Sequence, residues 1–191
     1  MKFALLLFTL FALSLADYGF LEGNYYYTAI ELGKCYKYGD SDFARLEHSA
    51  QTPNNLTLFL GDDCKKMVEE KEGAKDFKEI QRLPSHIYFG EVYFVETCIN
   101  PSGVYAVPLY FKGGCVLSDT PGKYQKSKVE SDKVVTSLYE DNKCEGKVIS
   151  TENQTLFKCL KEDVGYIKLE TNTSGAFMSF IMLAMLLVVL I

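Results

Sequence analysis

Six cysteines are the residues whose number and spacing carry the most chemistry: Cys35, Cys64, Cys98, Cys115, Cys144 and Cys159. An even set of cysteines suits either disulfides or a metal centre, and spacing separates the two. A zinc centre takes close C-x-x-C pairs or cysteines combined with histidines. No C-x-x-C occurs, and His48 and His86 are the only histidines. The pattern therefore points to a disulfide framework in an oxidising compartment, with no metal and no cofactor implied.

Other reactive groups are sparse. No G-x-S-x-G, H-E-x-x-H, Walker or dinucleotide glycine pattern is present. Histidine is the commonest general base, and His48 in a polar loop and His86 at a strand edge after Pro84-Ser85 read as surface side chains. Asp40-Ser41-Asp42 offers two carboxylates where calcium needs six to eight oxygens, so a solvated turn is the better reading. Glu69-Glu70-Lys71-Glu72 reads as a charged face or hairpin tip. Glycosidase chemistry needs only two carboxylates, but no pair stands out. The sequence thus implies no catalytic residue and no enzyme. Tyr25-Tyr26-Tyr27 is the most distinctive aromatic feature. On a strand it places rings on both faces, one set for packing and one open to sugars or protein partners.

The chain is apolar at both ends. Lys2 precedes an apolar run from Phe3 to Leu13, and Ser14 and Ala16 give a small-x-small cleavage pattern. This is a signal peptide, residues 1–16, with the mature chain starting at Asp17. At the other end, Ala176–Ile191 as a helix would span roughly 24 Å, short of a bilayer core of about 30 Å. No Lys or Arg follows it to hold a cytoplasmic end. A terminal apolar run after Asn172-Thr173-Ser174-Gly175-Ala176 fits a GPI-attachment signal, with Asn172 or Ser174 as the anchor site. The spacer, Phe177-Met178-Ser179, is short for such a signal, and a single membrane span is the alternative. Residues 172–191 are therefore a GPI-attachment signal or membrane tail.

Three sequons occur, at Asn55, Asn153 and Asn172, while Asn100 is blocked by Pro101. Asn55 and Asn153 are the expected glycan carriers, on surface loops. The formal charge is -5 and Lys and Arg are scattered, so nucleic acid is not an expected partner. The expected partners are the membrane, through a lipid anchor or tail, and a glycan or protein ligand on another surface. The expected address is the extracellular face of the plasma membrane.

The elements that must position these residues read as strands, since Tyr, Phe, Val, Ile and Thr are abundant and Trp is absent. Asn24–Leu32, Leu56–Leu60, His86–Thr97, Val104–Phe111, Val134–Tyr139 and Gly165–Thr171 are the clearest. Gln51–Asn55 reads as loop and Ser118–Lys128 as an exposed connection. Lys65–Arg82 has the Lys and Glu content of a helix, but its counterpart in the second half favours a hairpin. That counterpart, Glu145–Lys161, reads as two strands around a Glu152-Asn153 turn.

The comparison rests on an internal match at an offset of 80 residues. Gly23, Tyr25, Gly33 and Cys35 fall on Gly103, Tyr105, Gly113 and Cys115 without a gap. Cys64 falls on Cys144, and Phe77-Lys78 on Phe157-Lys158. Two tandem β units follow, residues 17–96 and 97–171. The shared spacing favours Cys35–Cys64, Cys115–Cys144 and Cys98–Cys159. The rival is nearest-neighbour pairing, with Cys98–Cys115 and Cys144–Cys159. Each bridge over such a loop contributes on the order of 3 to 4 kcal/mol. The fold class is mainly β, antiparallel and sandwich-like.

The stretch Ser137-Leu138-Tyr139-Glu140-Asp141-Asn142-Lys143-Cys144-Glu145-Gly146, with the signal and well-spaced cysteines, resembles small, uncharacterised secreted or surface proteins of amoeboid protists, Entamoeba-like ones in particular. The resemblance implies a surface address, and it carries over no activity and no functional residues. The sequence as a whole points to a non-catalytic surface glycoprotein for adhesion, recognition or shielding. A soluble product released from its anchor, or a surface hydrolase, is the alternative.

An intact mass of the protein taken from its own cell surface tests the two ends. The expected product starts at Asp17 and carries a glycolipid at Asn172 or Ser174. A chain that still ends in Ile191 contradicts the anchor.

Overall fold

The computed structural model describes residues 17–50, 55–70, 74–162 and 165–171. The signal segment, the tail with Asn172 and Ser174, and the loop residues 51–54 lie outside the described residues. The fold is all-β, with no helix among the described residues. In chain order the strands are β1 (Tyr18–Glu22), β2 (Tyr26–Glu31), β3 (Cys35–Lys37), β4 (Phe43–His48) and β5 (Leu56–Asp63). There follow β6 (Lys66–Glu70), β7 (Lys78–Ile80), β8 (Tyr88–Tyr93), β9 (Tyr105–Phe111) and β10 (Cys115–Leu117). The last five are β11 (Tyr124–Glu130), β12 (Lys133–Tyr139), β13 (Val148–Thr155), β14 (Cys159–Glu162) and β15 (Gly165–Glu170).

They form two sheets. The larger has eleven strands, ordered β14-β15-β8-β9-β3-β4-β5-β6, with β2 joined to β9, β1 to β2 and β7 to β1. The smaller is the meander β10-β11-β12-β13. All pairs are antiparallel except β3 with β9, where Tyr36 lies opposite Tyr105. Most apolar side chains alternate along the strands, as a half-buried sheet requires. In β2, however, Tyr27, Thr28, Ala29 and Ile30 are buried in succession, so both faces of this strand are covered.

Two cores result. Tyr88, Leu169 and Ile167 of the large sheet meet Val134 of β12 and Leu156, with Leu109 and Phe111 of β9 against them. Ile30, Tyr36 and Leu46 form the second core, with Leu58, Phe77 and Val107 around it. Strand β9 thus feeds both cores. The backbone N–H of Phe157 donates to the Leu169 carbonyl at 2.8 Å, tying the end of the meander to the large sheet.

The disulfides are Cys35–Cys64, Cys98–Cys159 and Cys115–Cys144, the pairing that the shared spacing predicts, and no cysteine is free. The first and third span the same separation of 29 residues. Cys64 and Cys144 both sit in turns whose backbone amides are held by a carboxylate. Asp63 accepts from the N–H groups of Lys65 and Lys66. Asp141 accepts from those of Gly146, Lys143 and Glu145, which holds its carboxyl below the usual carboxylate range.

Strand positions recur at the 80-residue offset: β3 and β10 start at Cys35 and Cys115, and β5 to β8 have counterparts in β12 to β15. The assembly does not recur. β7 pairs with β1, whereas β14 pairs with β15. β3 joins β9, whereas β10 begins a separate sheet. Pairing also crosses residue 97, since β8 lies between β15 and β9, and β2 pairs with β9.

Several local expectations change. Lys65–Arg82 contains strands but is not a hairpin, because β6 pairs with β5 and β7 with β1. Ser118–Lys128 is not wholly a connection, because β11 starts at Tyr124 and pairs with β12 through its full length. Glu152-Asn153 is not a turn: β13 runs through it, and the chain reverses at Leu156–Lys158. His48 ends β4 instead of lying in a loop.

Gly19 of β1 marks the closest approach over the second core. A Cβ there would lie 1.9 Å from a methyl of Leu46, which is fully buried. Overpacking of this kind costs roughly 1–3 kcal/mol. Gly19→Ala is expected to lower the midpoint of thermal unfolding, measured by far-UV circular dichroism. An unchanged midpoint would show that β1 and β4 are not packed as described.

Candidate functional site

The two sheets touch closely around Val134 and Leu156 and diverge beyond them. Between them lies a cleft of about 530 Å³. Its walls differ in chemistry because they come from different sheets.

One wall is aromatic. Tyr25, just before β2, and Tyr26, its first residue, meet Phe111 at the end of β9, with ring centroids 6.2 and 6.4 Å away. Tyr88 of β8 stacks on Phe111 at 4.4 Å and 10°. The register explains this grouping, since β9 is flanked by β2 and β8, and Phe111 lies opposite both Tyr26 and Tyr88.

The other wall is polar and is laid out in rows by the meander's register. Gln125, Leu138 and Ser150 lie opposite one another on β11, β12 and β13. Ser127, Thr136 and Glu152 form the next row, and Val134 and Gln154 the last. Alternate residues of β13 therefore face the cleft, and Ser150, Glu152 and Gln154 line it. The Ser127 and Thr136 hydroxyls lie 2.8 Å apart, and the Tyr88 hydroxyl joins them. At the rim the Gln154 amide donates to Glu162 at 3.3 Å.

Ser118, Asp119 and Thr120, after β10, complete the lip. The Tyr25 hydroxyl donates to Asp119 across a separation that no sequence motif records. The cleft thus collects Asp119, Glu152 and Glu162, and among the described residues no Lys or Arg lines it. These carboxylates were not visible as a set in the sequence, because their assembly depends on the sheet register.

The expected glycan carriers are both exposed. Asn55 lies in a bend just before β5, and Asn153 lies on β13, a strand instead of the expected loop. Asn153 lies between Glu152 and Gln154, so strand alternation turns it away from the cleft. The tyrosine triplet divides unlike a simple two-faced strand. Tyr25 and Tyr26 both line the cleft. Tyr27 is buried elsewhere, stacked on Tyr110 at 5.0 Å, with its hydroxyl donating to the Pro84 carbonyl at 2.6 Å. His86 is half-buried beside these rings, 4.8 Å from Tyr110. Asp40-Ser41-Asp42 forms an exposed turn between β3 and β4.

Asp17, His48 and Glu79 come together away from the cleft, with one donor atom of each within 4.8 Å of the others. His48 and Glu79 are 3.7 Å apart. All three are half-buried or exposed, and by itself such a surface cluster is a charge arrangement, not a site. No helix among the described residues is long and apolar enough to cross a membrane.

Comparison with protein-family models, with curated proteins and with solved structures finds no match.

Burial raises the Tyr25 and Tyr88 hydroxyls of the cleft. The Tyr88 phenol is pushed up to about 12, with hydrogen bonds to Ser127 and Thr136 acting the other way. The Tyr25 phenol is raised by burial and by the adjoining Asp119. Tyr110, beside Tyr27, also rises to about 12 through burial. These phenols remain neutral hydrogen-bond donors at physiological pH. An unfolded phenol ionises near about 10, so the unfolded chain releases protons that the folded one retains. Their contribution to stability is full below pH 10 and declines between 10 and 12. The tyrosinate absorbance that is gained above pH 10 is expected to change together with the circular dichroism on alkaline titration. Full ionisation near pH 10 with the fold intact would contradict the burial.

Proposed function

We propose that this protein is a non-catalytic glycoprotein of the outer cell surface, delivered through the secretory pathway and held by a GPI anchor, that recognises a ligand on another surface through the inter-sheet cleft. The cleft is the observation that carries the reading. It is of ordinary small-ligand size, it pairs an aromatic wall with a hydrogen-bonding one, and rigid strands position both. Three disulfides agree with an oxidising compartment. Exposed Asn55 and Asn153 agree with glycosylation that leaves the cleft open.

A second reading, a surface hydrolase, is favoured by Asp119, Glu152 and Glu162 in one cleft. Acid–base cleavage of a glycoside needs two such groups across the scissile bond. Turnover separates the readings: a binding protein releases its ligand unchanged, and a hydrolase shortens it.

The test is adhesion of cells displaying the full-length protein to monolayers of other cells. Ser150→Trp places a large side chain on an exposed position of the polar wall. It is expected to reduce adhesion at least tenfold at equal display level. Adhesion unaffected by this change would place recognition outside the cleft.

A further inference from the structure

Resting on the cleft as the recognition site, we infer that its ligand is an uncharged sugar, bound with a ring face against the aromatic wall and hydroxyls on the polar wall. Three properties of the lining converge on this chemistry, and each excludes a different alternative.

Charge comes first. Asp119, Glu152 and Glu162 line the cleft with no Lys or Arg among the described residues. Phosphorylated, sulfated or sialylated ligands would bring like charge against these carboxylates, which costs binding energy.

Hydrogen-bonding character comes second. An ammonium group only donates, and the carboxylates alone would serve it. The polar wall also presents the Gln125 and Gln154 amides and the Thr136 and Ser150 hydroxyls, which donate as well as accept. A sugar hydroxyl both donates and accepts, and neighbouring hydroxyls match the paired atoms of a carboxylate or carboxamide. Glu152 and Gln154 stand two residues apart on one face of β13, about 7 Å along the strand, a spacing that lets them engage separate hydroxyls of one sugar.

Shape comes third. The opposite wall is a cluster of rings, Tyr25, Tyr26 and Phe111, which suits the C–H face of a pyranose. A fully apolar ligand would strand the polar wall without partners, and a fully polar one would gain nothing from the rings. A slot of 530 Å³ lies inside the usual range of about 300–1,000 Å³ for small-molecule sites.

The test uses full-length protein in a detergent without a sugar headgroup. The chain has no Trp, so its fluorescence reports tyrosine, including Tyr25 and Tyr26. The probes are methyl glycosides of neutral hexoses, N-acetylhexosamines, deoxyhexoses and pentoses, with sialyl-lactose, a sulfated hexose and spermine as charged controls. The expected result is a saturable fluorescence change with at least one neutral glycoside, at least tenfold tighter than with any charged control. Gln154→Ala and Glu152→Gln are each expected to weaken it tenfold or more with unchanged thermal unfolding, and Tyr26→Ala to do the same.

Tighter binding of a charged control overturns the inference, as does a neutral-sugar response that survives these substitutions. No response to any neutral glycoside, with Ser150→Trp-sensitive adhesion intact, overturns the sugar and leaves the recognition reading standing. Loss of both removes the recognition reading as well.

Discussion

Strand β9 is the constraint on which the rest of the molecule depends. It hydrogen-bonds to β2 and β8 on its two sides near Phe111, and to β3 at its start near Tyr105. Its Leu109 and Phe111 pack into one core and its Val107 into the other. The two cores cannot form independently of this strand. The Cys98–Cys159 bridge fixes the segment that leads into it to the start of β14, and so ties the β8–β9 connection to the edge of the large sheet on that side. Because β2 and β8 both lie against β9, Tyr26 and Tyr88 converge on Phe111, and an aromatic wall follows from the pairing order alone.

The cleft exists because the meander is apolar where it touches the large sheet and polar where it does not. Val134 on β12 is buried, whereas the residues farther along the same face include Thr136, Gln125 and Ser150. Closing the sheets over those rows would bury amides and carboxylates without partners, which costs more than the apolar contact would return. The Cys115–Cys144 bridge holds the outer end of the meander, joining the start of β10 to the turn after β12. A fixed opening with mixed walls is the outcome, and it needs no moving part.

Much of this fold was legible in the sequence. The disulfide pairing followed from one repeated spacing, and β2, β5, β9, β12 and β15 were readable as apolar, alternating runs. Strands β1, β4 and β11 were missed, β11 for a physical reason. Tyr124-Gln125-Lys126-Ser127-Lys128 alternates between a cleft-facing polar side and a solvent-facing charged side, so the hydrophobic alternation that marks a strand is absent. Lys65–Arg82 misled as a hairpin because the match at the 80-residue offset records strand positions and not partners, and β6 pairs with β5 while β7 pairs with β1. The cleft itself was not legible. Tyr25 meets Asp119, and Gln125 meets Ser150, only through register between strands far apart in sequence. The interleaving of the two halves through β8 and β9 was hidden for the same reason.

Recognition is proposed to take place between the two sheets. Amide hydrogen exchange on the full-length protein, with and without glycopeptides released from cells to which it adheres, tests this most directly. Slowed exchange is expected in residues 118–120, 136–138 and 150–154, with β5 and β6 unchanged. Slowing confined to β5 and β6, or no slowing at all in the presence of adherent-cell glycopeptides, would contradict it.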